Sequence, residues 1–297
     1  MAALSLILKV PPTNNQNYWF DFVNNSLKKC QDTLDLIVDF NEVKFLETDD
    51  FVVLACLIES FIEKGCKSIK FIGGTKEFNA HLENIKFKKY WEPGFNRTRF
   101  TVSRNRTTLC LWKVDPEMVY SYSVHAREYF ERNFLKKKDL LPLASNLDEV
   151  FNNILDHAQS EIQGYIITQF YPKNNQLSFS VCDFGIGIPK SINTYFESRN
   201  EPKLEDWQTI IEAIKLGFSV KSNPKNRGFG LDNILQLTES SNGSLIIRSN
   251  RGYFEKSANK NFIIGDMPSY FPGTLIKVRM DLNTFEEKDE NDEIFEF

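Results

Sequence analysis

The spacing of apolar residues predicts alternating strands and helices in the first third of the chain. Short β-rich runs at 4–10, 34–40 and 68–72 alternate with helical patterns at about 18–29 and 49–64. Strands that alternate with helices predict a mainly parallel sheet, because each helix must return the chain across the same face. The helix at 49–64 is apolar almost all round, so we expect it in a core or against another domain.

A second pattern begins after Pro93 and Gly94, which break the first. It predicts helices at 118–134, 146–158 and 231–238, strands at 107–114, 164–170, 176–182, 244–249 and 274–280, and a loop-rich insertion after residue 182. The fold class is therefore α/β. We expect an α/β domain at 1–95 and an α/β sandwich at 96–283, with a mixed or antiparallel sheet and one helical layer.

Composition excludes several broad classes of protein. The chain has 297 residues, a net charge of -4, 41% hydrophobic and 26% charged residues, as expected of a soluble globular protein. No apolar run approaches the ~20 residues of a membrane span. The five cysteines are scattered without a CxxC pair, so we expect a cytoplasmic protein without disulfides or a zinc site.

Charge is unevenly distributed. Residues 284–297 hold seven acids and one lysine, which predicts a solvated, mobile acidic tail. Residues 84–113 hold eight Lys or Arg against one acid, interleaved with Phe, Tyr and Trp. That combination suits a surface that binds nucleic acid, or aromatic side chains that build the seam between two domains. We favour the seam and keep nucleic-acid binding through 84–113 as an alternative.

A polar stripe on one predicted helix carries the first candidate chemistry. Glu149, Asn153 and His157 are spaced by four and so stack on one helix face, apart from the apolar stripe. An amide oxygen is a hard ligand that suits Mg²⁺, and a carboxylate one turn away can accept a proton from water or a hydroxyl. Such a stripe also occurs where a helix simply faces solvent.

Three glycine motifs follow this helix along the chain. Asp183, Gly185 and Gly187 end an apolar strand, where glycines let backbone approach a ligand and the carboxylate can accept hydrogen bonds from an amine such as adenine N6. A second motif combines cations with glycines before a helix, an arrangement that attracts phosphate: Lys221, Arg227, Gly228 and Gly230. Gly273 and Thr274 open the last strand and offer a hydroxyl.

The order of these motifs resembles the GHKL family of ATP-binding domains, which includes gyrase B, histidine kinases and mismatch-repair ATPases. The resemblance covers about residues 115–282. It implies ATP and Mg²⁺ as cofactors, with Asn153 on Mg²⁺ and Glu149 as general base. Asp183 and Thr274 would bind adenine, and residues between Pro189 and Arg227 would form the ATP lid. Further site residues implied are His157, Gly185, Gly187, Lys221, Arg227, Gly228 and Gly230. Asn226 departs from the family, which often has glycine there.

Glu149 is similar to gyrase-type ATPases and anti-sigma serine kinases rather than histidine kinases, and the run of Glu149, Asn153, His157 and Ala158 most resembles the anti-sigma serine kinases. Residues 39–65 in turn resemble a STAS domain, and Thr48 falls at its phosphoacceptor position. Asp49 and Asp50 depart from the Ser and Gly of the STAS pattern, and Thr48 also suits a helix N-cap. His125 lacks the surroundings of a phosphoacceptor histidine.

Together these resemblances imply a nucleotide-dependent switch, with slow ATP hydrolysis or Ser/Thr phosphotransfer. Its partner would be a protein, of STAS type or another regulatory protein, or a second copy of the chain. We expect neither a membrane nor nucleic acid as the main partner. A non-catalytic ATP-binding scaffold remains an alternative.

Overall fold

The computed structural model describes residues 5–12, 16–97, 107–157, 164–215 and 230–288. The first part of the chain holds three strands and three helices: β1 (Ser5–Lys9), α1 (Gln16–Leu27), β2 (Asp35–Asp39), α2 (Thr48–Glu63), β3 (Ser68–Ile72) and α3 (Lys76–Asn84). The strands form a parallel sheet in the order β1-β2-β3, as the alternation predicts.

Helix α2 is the centre of the N-terminal part. A capping box starts it, in which the Glu47 backbone N–H donates to Asp50 Oδ2 at 2.9 Å, and Gly65 follows its end with a φ of +100°. Thirteen of its residues are buried, which explains an apolar pattern that continues around the helix. Its side chains share one cluster with the inner face of the first sheet and with the second sheet.

In the second part of the chain, the described residues form five strands and five helices: β4 (Trp112–Lys113), α4 (Val119–Asn133), α5 (Leu141–His157), β5 (Tyr165–Tyr171), β6 (Gln176–Asp183), α6 (Gly187–Ser198), α7 (Asp206–Ile214), α8 (Gly230–Ser240), β7 (Ser244–Ser257) and β8 (Ile263–Asp281). The strands form an antiparallel sheet in the order β4-β5-β6-β8-β7. Its strands alternate, so Phe179 and Val181 join the cluster with α4, α5 and α8, whereas Cys182 joins the cluster with α2.

Both faces of the second sheet are therefore covered. Helices α4, α5 and α8 lie on one face, and α1 and α2 pack against strands on the other. This arrangement differs from the expected two-layer sandwich, because the N-terminal domain supplies a further layer. The first sheet lies before residue 95 and the second after it, but their apolar cores meet.

Several elements of the structure differ from those predicted. The loop-rich insertion after residue 182 is wrong, since α6 and α7 occupy much of it. Helix α5 begins at Leu141, earlier than predicted, and β7 and β8 continue into a long hairpin arm beyond Ser249. The arm reaches α1, where Asn24 Nδ2 donates to the Tyr270 carbonyl at 2.6 Å. Among the described helices, none is both long and apolar enough to cross a membrane.

All five cysteines are buried, consistent with a role as small apolar side chains. Most of the predicted acidic tail, residues 289–297, lies outside the described residues.

Candidate functional site

A row of three polar residues crosses the second sheet at one end. Asp183 pairs with Thr274, and Thr274 pairs with Ser249 on its other side. Residues directly opposed in antiparallel strands point to the same face, so these three side chains share one face. Two residues away along each strand, the next row on the same face consists of Val181, Ile276 and Ile247. This row packs in the apolar cluster with α4, α5 and α8. The polar row therefore lies on the helical side of the sheet.

The Asp183 carboxyl is buried, with only 3% of the residue exposed. Its Oδ1 accepts a hydrogen bond from the Gly185 backbone N–H at 2.8 Å. Burial raises the pKa of Asp183 to about 7, and hydrogen bonds from the backbone of Gly185 and Thr274 oppose this shift. The group consequently titrates near neutral pH, and its charged form can accept hydrogen bonds from an amine.

Two glycines are required by the backbone beside Asp183. Gly187 has a φ of +78°, and a Cβ there would lie 2.5 Å from Asn250 Oδ1. Gly273 has a φ of +93°, and a Cβ there would lie 2.2 Å from the Asp183 carbonyl oxygen. Only glycine fits both the positive φ and the close approach, and in both places the neighbouring atoms belong to a distant part of the chain.

Ser249 connects the parts of this site, although no sequence motif singled it out. It is fully buried, and its hydroxyl donates to the Gly273 carbonyl at 2.9 Å. The same oxygen accepts from the Ile188 backbone N–H at 2.8 Å and lies 3.0 Å from Thr274 Oγ1. Next to it, Asn250 Nδ2 donates to the Ile186 carbonyl at 3.2 Å. The only sequence signal for this pair is its position at the end of an apolar strand.

The predicted polar stripe lies on a helix that contacts this region. Glu149, Asn153 and His157 fall on α5, and their spacing by four places them on one face. The opposite apolar stripe is buried against the sheet, as Val150 and Phe151 show. Helix α5 contacts α6, which begins at Gly187 of the glycine turn. The side chains of the stripe lie outside the described residues.

The second glycine motif is described only at its end. Gly230 opens α8, close to the predicted helix start, and α8 contacts α5. Lys221, Arg227 and Gly228 lie outside the described residues. Within the described ranges, no group of three or more His, Cys, Asp or Glu side chains could hold a metal ion.

Thr48 lies at the start of α2 and is fully buried against the second sheet. Its hydroxyl is 2.7 Å from Ser180 Oγ. Lys277 bridges the same junction, since its Nζ donates to Asp49 Oδ1 at 2.6 Å and to Glu47. Phosphorylation of Thr48 would therefore require α2 to separate from the sheet.

Most aromatic side chains in the described parts of the basic aromatic segment, 84–97 and 107–113, are buried, whereas 98–106 lie outside the described residues. Phe87 is fully buried, and Tyr90 and Trp91 are each 6% exposed. The Arg97 guanidinium lies 5.2 and 5.0 Å from the centroids of the Tyr90 and Trp91 rings, and it pairs with Glu59 at 2.9 Å. These rings are covered and cannot stack on bases in this arrangement. This part of 84–113 builds the seam between the two sheets.

Comparison with known proteins yields no family for this chain: neither a protein-family model nor a curated protein matches the sequence.

Proposed function

We propose that this protein binds Mg-ATP at the end of the second sheet, in the manner of a GHKL domain, and acts as a nucleotide-dependent switch on a protein partner. The observation that carries the proposal is the row of Asp183 and Thr274 on the helical side of the sheet, beside a glycine-constrained turn. A carboxylate and a hydroxyl in one row can bind the amine edge of a base such as adenine.

The stripe on α5 supplies the complementary part of the site. Helix α5 covers the same face of the sheet and contacts α6 directly after the turn. A nucleotide could therefore place its base at the Asp183 row and its phosphates near α5. By resemblance, Asn153 would hold Mg²⁺, which neutralises phosphate charge when bound. Glu149 would accept a proton from water or a protein hydroxyl. Lys221 and Arg227 would face the phosphates.

A switch function is supported by α2, which packs on the face of the second sheet opposite the candidate site. Alternate residues of β6 point to the two sides, so Asp183 belongs to the candidate site while Ser180 contacts Thr48 of α2. A displacement of the end of β6 would therefore alter both the candidate site and the contact between Ser180 and Thr48. We therefore infer that ATP regulates how the N-terminal layer, or a partner protein in its place, meets the sheet.

The test is an assay with γ-labelled ATP and Mg²⁺ on the full chain, which follows label into protein and into free phosphate. We expect the wild type to bind ATP and to turn it over slowly. Glu149→Ala should bind ATP without turnover, and Asp183→Asn should bind it poorly. Asp266→Asn, on the exposed part of the hairpin arm, is the matched control.

The outcomes separate the alternatives. Label that enters the protein and disappears with Thr48→Ala indicates an autophosphorylating kinase. Free phosphate alone indicates a hydrolytic switch, and binding without turnover supports the scaffold. Failure of the wild type to bind ATP would refute the proposal.

A further inference from the structure

We propose that Ser249 is a positioning residue that makes the candidate site select a 6-amino purine over a 6-oxo purine. It does so by fixing the direction of the Thr274 hydroxyl. This inference rests on the proposed nucleotide site, and it assigns a role to a residue outside the motifs that suggested that site.

The hydrogen bonds of Ser249 determine this direction. A serine hydroxyl has one hydrogen and two lone pairs. The Gly273 carbonyl, 2.9 Å away, can only accept, and one lone pair of Ser249 accepts from the Ile188 N–H at 2.8 Å. With the serine hydrogen on that carbonyl, the Thr274 hydroxyl, 3.0 Å away, donates to the remaining lone pair. Thr274 Oγ1 is left as an acceptor only.

The site consequently offers acceptors rather than donors. The charged Asp183 side chain can only accept hydrogen bonds, and Thr274 now does the same. At the adjacent turn, Asn250 Oδ1 is buried against Gly187 and has no hydrogen-bond partner within the described residues. An exocyclic amine brings two N–H donors to such a site. A carbonyl in the same place would face acceptors and lose its own hydrogen bond to water.

Removal of the Ser249 hydroxyl should relax this selection. In Ser249→Ala, the Thr274 hydroxyl can rotate and donate to a 6-oxo group. The Ile188 N–H also loses its acceptor, so the turn should open more often. Both effects are specific to the row, whereas a general loss of packing would weaken all nucleotides equally.

The experiment measures the affinities of the full-length protein for Mg-ATP and Mg-ITP, which differ at the 6-position. The variants are Ser249→Ala and the matched control Ser178→Ala. Ser178 is also fully buried and donates to a β8 carbonyl at 2.9 Å, but it points to the α2 face. Amide hydrogen exchange of residues 185–188 is followed in parallel, without nucleotide.

We expect Ser249→Ala to lower the ratio of ATP affinity to ITP affinity by roughly tenfold and to speed exchange in the turn. Ser178→Ala should leave both unchanged. An unaltered ratio in Ser249→Ala, with ATP still bound by the wild type, would overturn the inference and leave the nucleotide site standing. Absence of ATP binding by the wild type would overturn the nucleotide site and the inference with it, whereas faster exchange alone would show a merely structural serine.

Discussion

Lys277 is the cation that joins the second sheet to the start of α2, and its removal tests whether this junction holds the two parts together. The Lys277 side chain is 7% exposed, and its Nζ contacts Asp49, whose side chain is 3% exposed, at 2.6 Å. It also pairs with Glu47. Lys277→Met keeps much of the aliphatic volume and removes the charge, so the buried Asp49 would lose this ion pair.

The expected cost follows from this burial. Removal of one partner of a buried ion pair costs about 3–5 kcal/mol, because the remaining charge has lost both water and its counter-ion. With an unfolding entropy of about 2.1 cal/mol/K per residue, a chain of 297 residues loses about 1.6 °C of melting temperature for each kcal/mol. We therefore expect Lys277→Met to melt about 5–8 °C below the wild type.

Thermal and urea unfolding measure the effect, with two further variants. Lys203→Met removes the cation of an exposed pair with Glu197, where side-chain exposures are 68% and 50%, and should change stability little. The double variant Lys277→Met, Asp49→Asn also removes the buried charge that Lys277 paired with, and it should recover a large part of the loss. The reasoning fails if Lys277→Met is as stable as Lys203→Met, or if the double variant is no more stable than Lys277→Met.

Three further predictions concern titration and backbone. Burial, followed by the charge of Asp49, raises the pKa of Asp50 to about 8, so the folded state keeps a proton that the unfolded chain releases near pH 4. Stability should therefore fall as pH rises from about 4 to 8, and Asp50→Asn should flatten that slope in melts across the range. Because burial raises the pKa of Asp183 to about 7, ATP affinity should weaken roughly tenfold between pH 8 and pH 6, and Asp183→Asn should show no such slope in titrations. Gly273→Ala should cost about 3 kcal/mol or more, whereas Gly94→Ala, with a φ of +80° and open space, should cost about 1–2 kcal/mol; equal losses on unfolding would contradict the clash.

Local patterns were sufficient for much of the fold. The all-round apolar pattern of 49–64 predicted a helix in a core or against another domain, and thirteen residues of α2 are buried. The glycines at 187 and 273 were predictable too, because their φ angles are properties of a few adjacent residues.

The helices after β6 were missed because their signals are short and mixed. Gly185, Gly187 and Pro189 indicate a turn, but proline is tolerated in the first turn of a helix, where its missing N–H has no partner to lose. Helix α7 carries a capping box between Glu205 and Gln208, which is a local sequence signal for its start.

Local sequence sets which residues share a face of each strand, since side chains alternate along a strand. The need for glycine at 187 and 273 also depends on Asn250 and Asp183, which the fold brings close. What covers each face of the sheet is likewise a property of the fold. Thr48 contacts Ser180, and Ser249 contacts both Gly273 and Ile188. These partners are far apart in the sequence, so the local spacing of apolar residues does not predict the contacts. A hydroxyl's direction depends on all of its partners at once, and the partners of Ser249 come from β8 and the first turn of α6, which only the fold brings together.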